Sequence, residues 1–286
     1  MDKNRRNFLK VAGISTLAGL GAPAIVDRVI SGKGEGEVFA SGGAAGHHGA
    51  EPTEHHGEGN TESHKEEKTG TRYGMVIDTR QFNANPKLGV KCVDACHKMH
   101  NVPEFPKGDK NEIKWIWLTN HENAFPEHSQ QFKDKDTADN KVLVTCNHCE
   151  NPPCVRACPT KATFKNKDGI VMMDFHRCIG CRFCMAACPY GARSFNWLEP
   201  KTILPTPTNP DYPRRMRGVV EKCNFCADRL ALGEKPACVA AAGHSGAMIF
   251  GDLNDPNSEI RKVLKENFTI QRKPSLGTNP SVFYIV

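Results

Sequence analysis

The run Cys178-Ile179-Gly180-Cys181-Arg182-Phe183-Cys184-Met185-Ala186-Ala187-Cys188-Pro189 decides how this chain is read. Its spacing, C-x2-C-x2-C-x3-C-P, is that of the bacterial iron–sulfur run. There the first three thiolates hold one [4Fe–4S] cluster and the fourth reaches the other cluster of a pair. The reason is geometric. A tight loop with a cysteine at every third position wraps one cubane corner by corner. The fourth cysteine is expected to open a helix that leads toward the neighbouring cubane. Pro189 suits the start of such a helix, where a missing N–H costs nothing.

A second run upstream repeats the pattern with a longer middle spacing: Cys146-x2-Cys149-x4-Cys154-x3-Cys158-Pro159. The two runs complete each other. Cys146, Cys149, Cys154 and Cys188 are the expected ligands of one cluster, and Cys178, Cys181, Cys184 and Cys158 those of the next. Disulfides, zinc and iron–sulfur compete for the thirteen cysteines. Zinc favours isolated sets of four ligands built from two distant pairs. It does not account for a fourth cysteine three residues on and followed by proline. A c-type haem needs C-x2-C-H, and Cys92-x3-Cys96-His97 is one residue too long.

A third run, Cys223-x2-Cys226-x11-Cys238-x3-Ala242, has alanine where its fourth cysteine belongs. The run that should precede all of these retains only Cys92 and Cys96. The reciprocal rule then predicts one complete site, made of Cys223, Cys226, Cys238 and one upstream cysteine, beside a twin that has lost its ligands. Val76-Ile77-Asp78 resembles Val171-Met172-Met173-Asp174, which ends four residues before Cys178. Carrying that spacing forward puts Phe82, Asn85 and Leu88 at the first three ligand positions, with Cys92 as the fourth. A four-residue insertion would bring Cys96 there instead. The two cysteines are one helical turn apart, and the spacing leaves both registers open.

The rest of the chain says where these sites work. Asn4-Arg5-Arg6-Asn7-Phe8-Leu9-Lys10, followed by a weakly apolar stretch over 11–26, reads as a twin-arginine export signal within residues 1–40. The stretch falls short of the roughly 20 apolar residues a spanning helix needs. Val38-Phe39-Ala40 is the expected cleavage site, with retention as an anchor the alternative. That export route carries folded proteins, so the clusters are expected to be built before export to the periplasmic face of the cytoplasmic membrane. Residues 41–70 are Gly, Ala, Glu, Thr and His, with too little apolar surface to offset the entropy of ordering. They read as a linker. His47, His48, His55, His56 and His64 lie in it and offer loose metal binding as an alternative. The formal charge of +6 comes without a concentrated basic block, so nothing recommends nucleic acid. A basic face for an acidic partner remains in play.

From Arg72 the texture becomes that of a folded domain. Tyr73-Gly74-Met75-Val76-Ile77-Asp78 reads as a strand. Residues 161–165 and 170–174, joined through Asp168-Gly169, read as a hairpin. The five prolines over 200–213 mark a loop, and 258–267 a short helix. His148, His176, Arg156, Arg177 and Arg182 flank the cysteine runs. Their charge or hydrogen bonds would tune a cluster, and solvated surface roles are the alternative. No nucleophile–base pair or substrate pocket stands out, so no catalytic residue is expected.

Four stretches carry a family resemblance. They are Cys178 to Arg193, Lys222-Cys223-Asn224-Phe225-Cys226-Ala227-Asp228-Arg229-Leu230, and Ala95-Cys96-His97-Lys98-Met99-His100-Asn101-Val102-Pro103, with Phe250-Gly251-Asp252-Leu253-Asn254-Asp255-Pro256 behind them. Together they resemble the four-cluster ferredoxin-like electron-transfer subunits of polysulfide, tetrathionate and dimethyl sulfoxide reductases. In that family the Ala95 stretch follows the first run's fourth cysteine, so the resemblance selects Cys96. It implies an α+β, loop-rich fold of two ferredoxin-like 2[4Fe–4S] modules related by pseudo-symmetry, one with a lost cluster. Residues 71–140 and 201–250 would form the one-cluster module, 141–200 the two-cluster module, and 251–286 a C-terminal extension. Three [4Fe–4S] clusters follow. The export signal with a three-cluster pattern is most similar to the DsrO-type periplasmic subunit of the transmembrane complex linked to dissimilatory sulfite reduction. That likeness implies an integral-membrane menaquinone-interacting subunit and a multihaem cytochrome c as partners, in anaerobic sulfur respiration. The alternatives are a subunit of a molybdopterin-dependent periplasmic reductase and a zinc-bound structural adaptor.

Overall fold

The computed structural model describes residues 70–106, 108–128, 140–204 and 208–286. The expected export signal and the histidine-bearing linker lie outside them. The chain enters through β1 (Tyr73–Asp78), whose residues are buried after the first. The Asp78 carboxylate accepts the N–H of Arg80 and caps α1 (Thr79–Ala84), a first-turn donor that would otherwise go unpaired. Pro86 opens α2 (Pro86–Met99), where its missing N–H is harmless. Gly89, Cys92 and Cys96 form the buried stripe of α2, at the three- and four-residue spacing of one helix face. A Cβ on Gly89 would lie 3.0 Å from the Leu118 side chain, so glycine lets α2 sit close on β2 (Ile116–Asn120).

A short α3 (His121–Ala124) follows, and β3 (Lys141–Thr145) returns antiparallel to β2, with Ile116 opposite Thr145. Beyond it come α4 (Pro153–Arg156), the antiparallel hairpin of β4 (Thr163–Lys165) and β5 (Val171–Met173), and α5 (Phe183–Ala187). Next, β6 (Ser194–Phe195) pairs antiparallel with β7 (Val220–Glu221), followed by α6 (Ala227–Ala231) and α7 (Ala237–Ala242). The chain closes with β8 (Met248–Asp252), α8 (Glu259–Glu266), β9 (Thr269–Ile270) and β10 (Val282–Ile285). The main sheet has the order β8-β1-β10-β9, with β1 antiparallel to β8 and parallel to β10. Among the described residues no helix is long and apolar enough to cross a membrane.

The strand at 73–78, the hairpin and the helix beginning after Ser258 stand where the sequence puts them. Three features differ. The helices do not start at the fourth cysteine of each run: α4 and α5 end just before Cys158 and Cys188. Pro159 and Pro189 therefore follow a helix instead of opening one, the position where proline stops a helix from continuing. The strands β2 and β3 carry no turn signal between them that would mark a hairpin. The C-terminal residues join the sheet, since β10 lies between β1 and β9.

Candidate metal centres

None of the thirteen cysteines is in a disulfide. The short helices α4 and α5 pack on each other. They bring Cys154 and Cys184 into one buried cluster with Val171 and Val220. From that junction the thiols sort into three sets.

The first set is Cys146, Cys149, Cys154 and Cys188. Burial pushes the Cys149 thiol up to about 12, and its neighbours Cys146, Cys154 and Cys188 push the same way. Cys188 is likewise raised by burial, then by Cys146. The fourth cysteine of one run thus stands among the first three of the other. In the second set, Cys158, Cys178, Cys181 and Cys184 line one small cavity, closed on its sides by Met173 and Val220. Cys158 is held there by the Thr163 N–H, which donates to its sulfur at 3.5 Å. Burial raises its thiol, but this and neighbouring backbone donors outweigh burial and lower it.

The third set brings an upstream cysteine to the last run. Burial holds the Cys96 thiol well above its ordinary value, and Cys223, Cys226 and Cys238 add to the shift in that order. Cys92 is raised to about 11 by burial, with only Lys91 opposing. It acts on Cys238 more weakly than Cys226 and Cys223 do. Backbone donors meet two of these sulfurs: Phe225 N–H to Cys223 and Ala237 N–H to Cys226, each at 3.4 Å. The positions of the expected lost site are otherwise filled. Phe82, Cys92 and Ala242 are buried in the main apolar core with Leu88 packed against it, and Asn85 is exposed.

Cys146 acts on the thiol of Cys223, and Cys154 on that of Cys184, so the first set neighbours both the third and the second. His148, in the first run, is fully buried and is no surface histidine. Its ring stacks on Phe225 of the last run at 3.6 Å, and its Nδ1 accepts the Val171 N–H at 3.1 Å. His176, Arg156, Arg177 and Arg182 are exposed.

Sequence reading missed two buried cations and one ion pair. Arg193 is 5% exposed. It donates to Thr163 Oγ1 at 3.1 Å, faces Cys154 and Cys184, and leaves Nη2 unpartnered. The Lys222 ammonium donates to the carbonyls of Val171 and Cys223. Arg215 and Glu221 pair at 2.7 Å with both side chains buried, and the Trp115 Nε1–H donates to the same carboxylate at 2.9 Å. Arg193 ends the quoted motif and Lys222 precedes Cys223, but spacing alone does not show that either is buried without an acid.

These groups fit iron–sulfur clusters. A cluster held by four thiolates is anionic, and hydrogen bonds and charge around its sulfurs set its potential. Buried cations with no carboxylate partner, and an unpartnered guanidinium nitrogen between two cysteine sets, suit such a group. Among the described residues no three His, Cys, Asp or Glu side chains converge as closely as a single metal ion requires.

Comparison with known proteins agrees with this chemistry. Two family models, each described as a 4Fe-4S dicluster domain, match residues 142–203 and 177–250. The iron–sulfur subunit 1 of an Hdr-like menaquinol oxidoreductase from Archaeoglobus fulgidus is 46% identical over 206 residues, covering 69% of this chain and 73% of that protein. A putative iron–sulfur subunit of dimethyl sulfoxide reductase from Halobacterium salinarum is 50% identical over 223 residues, covering 75% and 79%. A polysulfide reductase component from Wolinella succinogenes is 37% identical over 216 residues, covering 75% and 94%.

Proposed function

The chain belongs to the family of 4Fe-4S dicluster iron–sulfur subunits of oxidoreductase complexes, and from that premise we propose that it relays electrons within a menaquinone-linked transmembrane complex. It is an electron-transfer subunit with no substrate site of its own. Three [4Fe–4S] clusters would be held by Cys146, Cys149, Cys154 and Cys188; by Cys178, Cys181, Cys184 and Cys158; and by Cys223, Cys226, Cys238 and Cys96. Bound there, each cluster supplies one-electron chemistry. The protein's part is to hold the three close together, exclude water most fully from the third, and surround them with N–H donors and buried cations. The fourth site of the family's pattern is lost in this reading. Its ligand positions are taken by Phe82, Asn85 and Leu88, with Cys92 a buried thiol.

The observation that carries the three-cluster reading is the placement of Cys96 among Cys223, Cys226 and Cys238. The quinone link rests on the menaquinol oxidoreductase relative. The twin-arginine motif supports work on the periplasmic face of the cytoplasmic membrane. The same motif, with the three-cluster pattern, supports an integral-membrane quinone-interacting subunit, a multihaem cytochrome c partner and a place in anaerobic sulfur respiration. A second reading, a subunit of a molybdopterin-dependent reductase, is favoured by the dimethyl sulfoxide reductase relative. Anaerobic purification with iron, sulfide and EPR analysis tests the cofactor: about twelve irons per chain are expected. Sixteen would mean that the fourth site is alive, and zinc without iron would refute the whole reading. Reduction of the clusters by a menaquinol analogue in the intact membrane complex separates the first reading from the second.

A further inference from the structure

The second cysteine set differs from the others in its surroundings. Three of its four cysteines, Cys158, Cys178 and Cys181, are partly exposed, whereas in the first set only Cys188 is, and all four of the third are buried. The loop that carries them exposes two large apolar side chains, Ile179 at 67% and Phe183 at 61%. Trp197, also exposed, meets the same loop at Arg182, whose guanidinium lies 4.7 Å from the centre of its ring. The loop is built to hold this shape. Gly180 has a φ of +69°, and a Cβ there would lie 2.4 Å from the Gly218 carbonyl. Arg182 is also left-handed, at φ 62°. An apolar group displayed on a stiff loop loses little entropy on being covered.

Cations stand on the segments next to this loop. Arg156, Lys161, Arg182 and Arg217, the neighbour of Gly218, are exposed. None of them has a carboxylate within ion-pair distance among the described residues. Of the nearby acids, Asp174 is engaged by Arg177 at 3.3 Å, and Glu199 lies two residues past Trp197. Exposed apolar side chains inside a polar rim mark interaction sites, and a cationic rim steers an anionic partner.

We propose that the face formed by Ile179, Arg182, Phe183 and Trp197 is the docking surface for a one-electron redox protein, one that presents apolar side chains ringed by carboxylates. The proposal rests on the reading of the second set as a cluster site. One electron crosses the face between that cluster and the partner's haem iron or iron–sulfur centre, one being oxidised and the other reduced by one electron, with no bond made or broken. An anionic lipid surface would also suit arginines and apolar side chains. It offers no electron acceptor at the point where the cysteines approach the surface, so a protein is favoured.

Hydroxyl-radical footprinting of the holoprotein, alone and in the complex purified from native membranes, tests this. Phe183 and Trp197 should be oxidised in the isolated chain and protected at least fivefold in the complex. Vesicles of phosphatidylglycerol should give no protection. Equal oxidation in both states overturns the proposal, and so does protection by the vesicles alone. The Ile179→Glu/Phe183→Glu double variant should keep its iron and its rate of reduction by dithionite, yet exchange electrons within the complex at least tenfold more slowly. If that variant loses iron, Trp197→Glu is read in the same way, and an unchanged rate in the complex overturns the proposal. Fewer than about eight irons in the unmutated chain would instead refute the cluster reading itself.

Discussion

Residue by residue, the thiols divide by what surrounds them. Cys96 and Cys92 lie on one buried stripe of α2, one turn apart, but only Cys96 has three cysteines acting on it. Cys96→Ser should therefore remove about four irons and one EPR signal, while Cys92→Ser should keep the full iron content. The same comparison would decide the register that spacing left open: the sequence shows two cysteines on one helix face, and it takes the packing around α2 to set Cys96 nearer to Cys223, Cys226 and Cys238. Arg193 is a sharper case. Its cationic head is buried beside Cys154 and Cys184, with no acid in ion-pair distance among the described residues. Arg193→Met should keep the clusters and shift the potentials of the first and second sets downward, with the third unmoved. Each 1.4 kcal/mol of lost attraction for the reduced cluster corresponds to about 59 mV for a one-electron couple. EPR-monitored redox titration reads this, and Arg193→Lys should restore most of the shift.

At the scale of elements, what was legible depended on local signals. The hairpin of β4 and β5 announces itself through Asp168-Gly169, and α8 through Ser258, whose hydroxyl accepts the Arg261 N–H at 3.4 Å. Ser258→Ala should cost about 1 kcal/mol in denaturant unfolding. It should leave the cluster spectra unchanged, because α8 packs with Val76, Leu253 and Ile285, apart from the cysteines. The strands β2, β6 and β7 were not legible, since what holds them is long-range. Glu221 on β7 takes the indole N–H of Trp115, more than a hundred residues away in the chain, together with the guanidinium of nearby Arg215. Glu221→Gln leaves Arg215 buried and uncompensated, so a loss of roughly 3–5 kcal/mol is expected in equilibrium unfolding. It should be accompanied by loss of the third cluster, because the same arginine lies beside Cys96.

For the whole molecule, the three sets, with clusters bound as proposed, would act as staples of very different span. The first and second sets tie together residues 146–188, a stretch with its own hairpin and its own junction of α4 with α5. The third set ties Cys96 to Cys223, Cys226 and Cys238, closing a loop of more than a hundred residues, and loop-closure entropy grows with length. The secondary structure between these anchors is slight, with strands of two and three residues at β4, β5, β6 and β7. Such elements are too short to be stable alone, so the clusters should carry much of the fold. Removing the third one in Cys96→Ser should therefore lower the thermal midpoint and open the segments around α2 and α7 to protease. The segment from β3 to β6 should resist cleavage and retain about eight irons. Chelation of all the iron should remove that difference and leave Arg193 and Lys222 buried without counter-charge. If the iron-free chain instead kept the protease resistance of the holoprotein, the packing alone would be holding the fold. The cysteine sets would then be guests in a finished structure instead of its cross-links.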